Sequence, residues 1–519
     1  MPWNARYSFP SQANKAIKIT PRIPPKNGYT FSPGNTVRVE FPAQGYVNPN
    51  NTTLEFDVDL AGYGTVATVN PNASMARFQN NIQSIFSRVR LLYGSTPLED
   101  IINYNVIVRA LTEWTAPSQQ SADQTSIAEG IGGITAGWVS ATSAGFVNTR
   151  SSQIHGQSGI AGQGCVPNLA GASISGVSTS RRRYQITFAL GLFNQDKLIP
   201  TKFMASQLAI ELTLAAESGC IFAQPNTLNS GGVAGTGNSP TYAVTNVNLI
   251  PEILEFDASY DAMFLKGLQE GGVPIKFSSW HSFLFTQGAG STANLLIQER
   301  SRSVKAIFAV LRITPDKITN DSGGFLNSNV AATTLDSYQF RIGGRYFPAS
   351  PVICSNSAQS TGTPNGACEA LLELQKALNV VGDYRLKTAN NAMRWGAPFV
   401  ASPALGVDAV KPDCIQVSDY LYNAVYFSNS AGTAGTLAAA PSIAPFAGAL
   451  GSGTFAMAVS LETSNGMEIS GLNAEEQSDI SLMCTWSGLQ NGPTLALEVY
   501  TYYDGMLILR ENNVLELIQ

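Results

Sequence analysis

Only two histidines, His155 and His281, are available for acid–base chemistry in 519 residues. His155 sits in a Gly-rich stretch and His281 in the apolar run Trp280-His281-Ser282-Phe283, so each reads as structural rather than catalytic. Zinc chemistry needs H-E-x-x-H or clustered Cys/His ligands, and the chain has neither. The cysteines, Cys165, Cys220, Cys354, Cys368, Cys414 and Cys484, are scattered without a C-x-x-C and are expected to be free thiols. Glu55, Asp57 and Asp59 could pass for a carboxylate cluster, but they alternate out of one strand and read as a solvated or interface face. Gly62-x-Gly64-x-x-Ala67 and Gly451-x-Gly453-x-x-Ala456 loosely match a dinucleotide fingerprint. Neither opens a helix in a βαβ unit, so both read as loop glycines. There is no P-loop and no G-x-S-x-G elbow. Arg181-Arg182-Arg183 precedes a strand. It reads either as a solvated strand start or as a contact between subunits, where the arginine fork suits ion pairs. The expectation is no catalytic residue, no metal and no cofactor.

The elements that would carry these residues are strands. Val37, Val39 and Phe41 alternate with Arg38 and Glu40, and after the turn cluster Val47-Asn48-Pro49-Asn50-Asn51 the residues Leu54, Phe56, Val58 and Leu60 alternate with acids, predicting a hairpin-like pair. Residues 85–93, 184–192 and 208–214 are further strands. Residues 98–114 are expected to be helical, with Thr96-Pro97 as cap and first-turn proline. A Gly/Ser/Asn-rich tract over 226–240 separates the 208–214 strand from a strand-like run at 247–256. Beyond it the pattern predicts a short helix over 259–269, strands at 274–286, 303–313, 337–347, 420–427, 454–461, 480–486 and 495–503, and a helix over 367–378. Gly505 reads as a break. The fold class expected is all-β: two tandem jelly-roll β-sandwiches with short inserted helices and long loops. The expected domains are an N-terminal arm over 1–35, a first jelly roll over 36–216, a linker over 217–246 and a second jelly roll over 247–519. The excursions 116–180 and 431–453 are expected at the tops of the assembly or between subunits, where neighbours offset their ordering entropy.

Charged residues make up only 13% of the chain, against about 25% in ordinary soluble domains. Much surface is therefore expected to be covered by copies of the same chain. A net charge of −5 excludes a global basic footprint for nucleic acid. No apolar h-region marks a signal peptide near the start, and the best apolar run, 437–450, is interrupted and too short to span a bilayer. Arg6, Lys15, Lys18, Arg22, Lys26 and Arg38 all precede the first acid, Glu40. With Trp3, Tyr7, Phe9, Ile17 and Ile19 as apolar anchors, this basic, proline-broken arm is expected to lie on an inner face over residues 1–27 and tie neighbouring copies together. Trp3, Arg6, Tyr7, Phe9, Lys15, Lys18, Arg22, Arg181, Arg182 and Arg183 are the candidate assembly residues.

Four stretches resemble double jelly-roll major capsid proteins of the Polinton-like virus, adintovirus, virophage and large DNA virus lineage. They are 47–60; Ser84-Ile85-Phe86-Ser87-Arg88-Val89 with Leu98-Glu99-Asp100-Ile101-Ile102-Asn103-Tyr104-Asn105; Asp196-Lys197-Leu198-Ile199-Pro200 with the 208–214 strand; and Glu252-Ile253-Leu254-Glu255-Phe256 leading to Val273-Pro274-Ile275-Lys276-Phe277. Together they span about the first 290 residues. The resemblance implies a homotrimer of pseudo-hexagonal outline that builds an icosahedral virion shell inside the host cell. Neighbouring capsomers, penton proteins and minor capsid proteins would be its partners. An inner membrane or genome layer could lie beneath, and no sequence-specific nucleic-acid binding is implied. A carbohydrate-binding or fibre-type β-sandwich is the alternative and would need an exposed aromatic platform. A β-sandwich hydrolase would need the catalytic set that is missing.

Overall fold

The computed structural model describes residues 16–61, 75–78, 82–115, 128–129, 165–167, 180–223, 241–287, 290–313, 335–354, 368–381, 455–462, 470–477, 479–486, 495–510 and 515–519. In chain order the first half contains β1 (Ala16–Ile19), β2 (Thr30–Phe31), β3 (Thr36–Glu40), β4 (Tyr46–Ala61), β5 (Met75–Phe78), β6 (Phe86–Tyr93), β7 (Thr96–Ile102), α1 (Tyr104–Thr115), β8 (Cys165–Pro167), β9 (Ser180–Ile186), β10 (Leu208–Leu214), α2 (Glu217–Cys220), β11 (Ile221–Ala223) and β12 (Thr241–Phe256). Period-two alternation sets which residues of β3, β4 and β10 face the core. Val37 and Val39 of β3, Phe56 and Val58 of β4, and Ile210 and Leu212 of β10 all lie in one core. Two sheets close over it, in orders β1-β12-β4-β9 and β3-β10-β6-β7, with β2 also on β12. Phe56 and Phe86 meet edge-on between the sheets, with ring centroids 5.7 Å apart. A small third sheet runs β11-β5-β8.

After α3 (Ala258–Glu270) come β13 (Val273–Gln287), β14 (Thr292–Leu296), β15 (Val304–Ile313), β16 (Leu335–Ile342), β17 (Arg345–Ile353), α4 (Cys368–Ala377), β18 (Met457–Ser460), β19 (Ile480–Trp486), β20 (Leu495–Leu509) and β21 (Leu515–Ile518). Their sheets run β13-β20-β15-β18, with β21 on β20, and β14-β19-β16-β17. The Tyr338 hydroxyl of one sheet donates to the Ala458 carbonyl of the other across 3.1 Å.

The two halves correspond strand for strand. β1, β12, β4 and β9 occupy the places of β13, β20, β15 and β18. β3, β10, β6 and β7 occupy those of β14, β19, β16 and β17. In both halves the hairpin β6–β7 or β16–β17 is followed by the long helix, α1 or α4. Sixteen strands in two eight-stranded sets form a double jelly roll, all-β as expected.

The topology corrects several expectations. The 247–256 run does not open the second half: it belongs to β12, which pairs with β4 from Thr241↔Ala61 to Leu254↔Tyr46. The halves therefore divide across α3, not across 217–246. Alternation identifies a strand but not its partner, and the small-residue tract precedes the last strand of its own half. Residues 16–35 are not a separate arm either. From residue 16 onward this segment is the edge of the first sheet, with Ala16–Ile19 paired to β12, a bridge from Ile23 to Leu249, and β2 paired to Val244 and Thr245. The helix expected over 98–114 splits. Gly94, at φ 61°, turns β6 into β7, and Asn103, at φ 53°, turns β7 into α1; glycine and asparagine tolerate that left-handed region. Leu98 and Ile101, three residues apart, fit the helical period and not the period of two, which hid the strand. Likewise 337–347 is a hairpin whose turn is Gly343-Gly344, and Gly505 lies inside β20 rather than ending it. β3 and β4 are no hairpin, since they lie in opposite sheets, and the Asn-Pro turn cluster is part of β4. The expected strand 420–427 and the excursion 431–453 lie outside the described residues, as does 116–180 apart from Ala128, Glu129, the backbone of β8 and Ser180.

Candidate functional site

The densest polar chemistry lies on the seam where β7 and the short helical turn Gly191–Phe193 of the first half meet β13 of the second. Glu99, on β7, is 2% exposed. Its carboxylate accepts from the Gly191 and Leu192 backbone N–H groups at 2.7 and 2.8 Å and from the Ser279 hydroxyl across the seam. Burial pushes its pKa up, and these three donors oppose that rise. Beside it the Ile102 N–H donates to Ser282 Oγ at 3.2 Å, the Tyr500 hydroxyl to the Asn103 carbonyl at 3.1 Å, and Gln519 Nε2 to the Leu98 carbonyl at 3.1 Å. Gly191 admits the close approach: a Cβ there would stand 2.1 Å from the Ser278 carbonyl oxygen.

An aromatic stack continues the seam. Trp114, at the end of α1, stacks on Phe308 of β15 with centroids 5.3 Å apart and planes 20° apart. Trp280 meets Phe308 at 5.5 Å and Tyr502 at 4.6 Å. A cavity of about 260 Å³ opens between the halves, lined in part by Leu111, Asn194, Trp280 and Tyr502.

His281 lies in this zone as a structural residue. It stacks on Tyr503 at 4.1 Å, and its Nδ1 lies 3.2 Å from Glu299. Burial alone would raise the Glu299 carboxyl. Bonds from His281, Thr501 and Ser301, with the histidine's charge, instead bring it to about 2. The folded value lies below the unfolded one, so its stabilisation is complete above about pH 4 and is lost as the pH falls towards 2. At neutral pH it contributes roughly 2–3 kcal/mol. Replacing Glu299→Gln is expected to lower the melting temperature at pH 7, with the gap from the native chain closing between pH 4 and 2; a gap independent of pH would refute this origin.

The carboxylates on the outer face of the first sheet are paired, not a metal cluster. Glu252 takes Lys18, Asn48 and Asn51. Glu55 takes Arg22 and Arg183, and Asp57 takes Arg183 at 2.8 Å and Asn246 at 2.7 Å. Asp59 takes Arg181 at 2.7 Å. The Arg183 hydrogen bond is the main cause holding the Asp57 carboxyl below its usual range. Of the candidate assembly residues, Lys18, Arg22, Arg181 and Arg183 therefore pair within their own chain. Arg182 lies on β9 opposite Val58. Trp3, Arg6, Tyr7, Phe9 and Lys15 lie outside the described residues. Glu99, Trp114, Gly191 and Ser279 were missed. No signal marked Glu99, because residues 98–114 were read as a helix.

Among the described residues no group of three His, Cys, Asp or Glu could hold a metal, and no helix is long and apolar enough to cross a membrane. The exposed aromatics Tyr29 and Tyr346 lie in different halves, which gives no aromatic platform among the described residues. Cys220, Cys354 and Cys484 are buried free thiols, and Cys368 is an exposed one. Burial pushes the first three thiols far above the ordinary range, and only the thiolate reacts. Maleimide is therefore expected to label Cys368 in the folded protein and these three only after unfolding, as peptide mass spectrometry would show; labelling of Cys484 in the folded chain would refute it.

No protein-family model and no curated protein sequence matches the chain. Solved structures do match it. The Sputnik virophage cryo-EM structure aligns with TM-score 0.55 at 11% identity, over 100% of this chain and 91% of that one. The mavirus major capsid protein aligns with TM-score 0.51 at 9% identity, over 100% and 94%. VP54 of PBCV-1, fitted into a Sputnik reconstruction, aligns with TM-score 0.51 at 10% identity, over 99% of both chains. The shared property is the fold, along 91–99% of the length of each of those chains.

Proposed function

We propose that this chain, with the double jelly-roll fold it shares with the mavirus major capsid protein, is itself a major capsid protein, assembling as trimeric capsomers into an icosahedral virus shell. The observation that carries the reading is the doubled sandwich, identical in strand order in its two halves and locked across a buried seam. Two similar lobes per copy, repeated three times around a cyclic axis, make six similar lobes, and six lobes tile a facet. A rigid seam is what such tiling requires, because each copy must present both lobes at one fixed angle. Charged residues at 13% agree with large interfaces between copies. Exposed Tyr346 and Ile353 on β17 and Leu372 on α4 give the second half an apolar free edge for such a contact. Neighbouring capsomers, penton and minor capsid proteins are the partners this reading carries, and the virion is its location.

Native mass spectrometry of the purified protein should give three chains of 55.1 kDa each, and negative-stain images should show six-lobed particles. A monomer that forms neither trimers nor particles at high protein concentration would refute the reading. Residues 16–27 are committed to their own sheet, so any tie to neighbouring capsomers rests with residues 1–15.

A further inference from the structure

The two jelly rolls align residue by residue through a bridge that each repeats. Val47 bridges to Ile199 and pairs with Ile253, which pairs on its other side with Ile19. Val304 bridges to Leu472 and pairs with Tyr503, which pairs on its other side with Ser279. Ile19, Val47 and Ile253 therefore stand in the first half where Ser279, Val304 and Tyr503 stand in the second. One position along, Thr20 is the counterpart of Trp280 and Glu252 that of Tyr502.

The two faces so matched are used differently. On the second half, the face carrying Trp280 and Tyr502 receives β7, α1 and the Gly191–Phe193 turn of the first half. On the matching face of the first half, Lys18, Thr20 and Asn51 are exposed. Glu252 is buried beside them by its bonds to Lys18, Asn48 and Asn51, so this face carries its own charge balance. The covering surfaces differ in the same sense. β7 buries Leu98, Glu99 and Ile101, whereas its counterpart β17 buries only Val352. Tyr346 and Ile353 on β17 are 48% and 46% exposed, and Leu372 on α4, the counterpart of α1, is 50% exposed.

One chain thus holds one complete seam and the two unmatched sides of another. The complete seam fixes the lobes, so these two sides cannot meet within a chain, and a second copy must supply the match. A contact between unlike surfaces, repeated head to tail, closes into a ring when its rotation allows. We infer that β17 and α4 of one copy dock on the β1-β12-β4 face of the next, around Thr20, Glu252 and Asn51, repeating between chains the seam that each chain makes within itself. This rests on the trimer reading and names the two surfaces that build the trimer.

The test puts Tyr346→Asp and Leu372→Asp together in the full chain. Both side chains are half exposed, so the circular dichroism of the variant should match the native chain. Its trimer association constant, from native mass spectrometry across a dilution series, should fall by about tenfold or more, the factor for losing even one buried anchor. A constant within about twofold of the native one would overturn this pairing of surfaces while leaving the capsid reading standing; a native chain that forms no trimer would refute the capsid reading itself. A photo-reactive phenylalanine analogue at Leu372 maps the receiving face independently of that variant's folding. It should yield a two-chain species on a denaturing gel, with peptide mass spectrometry placing the cross-link in β1, β4 or β12 of the second chain. Cross-links within one chain only, or into the second half of another copy, would overturn the inference.

Discussion

Replacing Glu99→Ala is expected to destabilise the protein by about 3–5 kcal/mol, the cost of removing one member of a buried, charge-assisted group. The substitution removes the shared acceptor of three donors in the buried seam: the N–H groups of Gly191 and Leu192 and the hydroxyl of Ser279. Two of these belong to the first half and one to the second, so the loss is shared by the lobe and the joint. Glu99→Gln should fall between the alanine variant and the native chain. Its carbonyl still accepts one bond, but its amide nitrogen turns a donor towards a donor. Urea unfolding of the purified protein measures both. The joint is isolated by a double-mutant cycle with Ser279→Ala, for which a coupling of about 1–3 kcal/mol is expected. A Glu99→Ala protein as stable as the native chain, or zero coupling to Ser279, would show that this carboxylate does not hold the halves together.

Glu99 also shows where the amino-acid pattern stops being informative. Strands with clear alternation, such as β3 and β10, were readable because burial of one face is a local rule. The doubled organisation was readable because those strands recur after the midpoint. Which strand neighbours which was not, because pairing is set by topology and by contacts far apart in sequence. β12 was therefore assigned to the wrong half, and 16–31 passed for an arm although they border a sheet. The seam was invisible for the same reason. Its donors come from residues 191, 192 and 279, and its acceptor from residue 99. No window of sequence contains both sides. The hairpin β6–β7 was lost for a different reason: apolar Leu98 and Ile101, three residues apart, fit a helix and not the period of a strand, and only the left-handed backbone at Gly94 and Asn103 marks the turns on either side of β7. The carboxylates of β4 were read as a surface face, and they do point away from the core. The arginines and asparagines paired with them nevertheless leave Glu55 and Asp57 buried.

Trp114→Ala is expected to cost about 3–5 kcal/mol, as for a fully buried large aromatic whose site cannot collapse. The site resists collapse because the side chain is held from two sides, by its own helix α1 and by Phe308 of the other half. Trp114→Phe should cost much less. The ring stack survives, and the indole N–H, which is buried without a hydrogen-bond partner among the described residues, is removed. That contrast separates packing from polarity: if the indole N–H mattered, phenylalanine would be nearly as costly as alanine. Combining Trp114→Ala with Phe308→Ala then reads the joint. Stacked aromatic pairs contribute about 0.5–1.5 kcal/mol beyond the area they bury, so the double variant should be less destabilised than the sum of the single ones by at least that amount. Additive losses would mean that the two rings sit in lobes that unfold independently. The seam would then be a contact rather than a lock, and a capsomer built from it could not keep its six lobes at fixed angles.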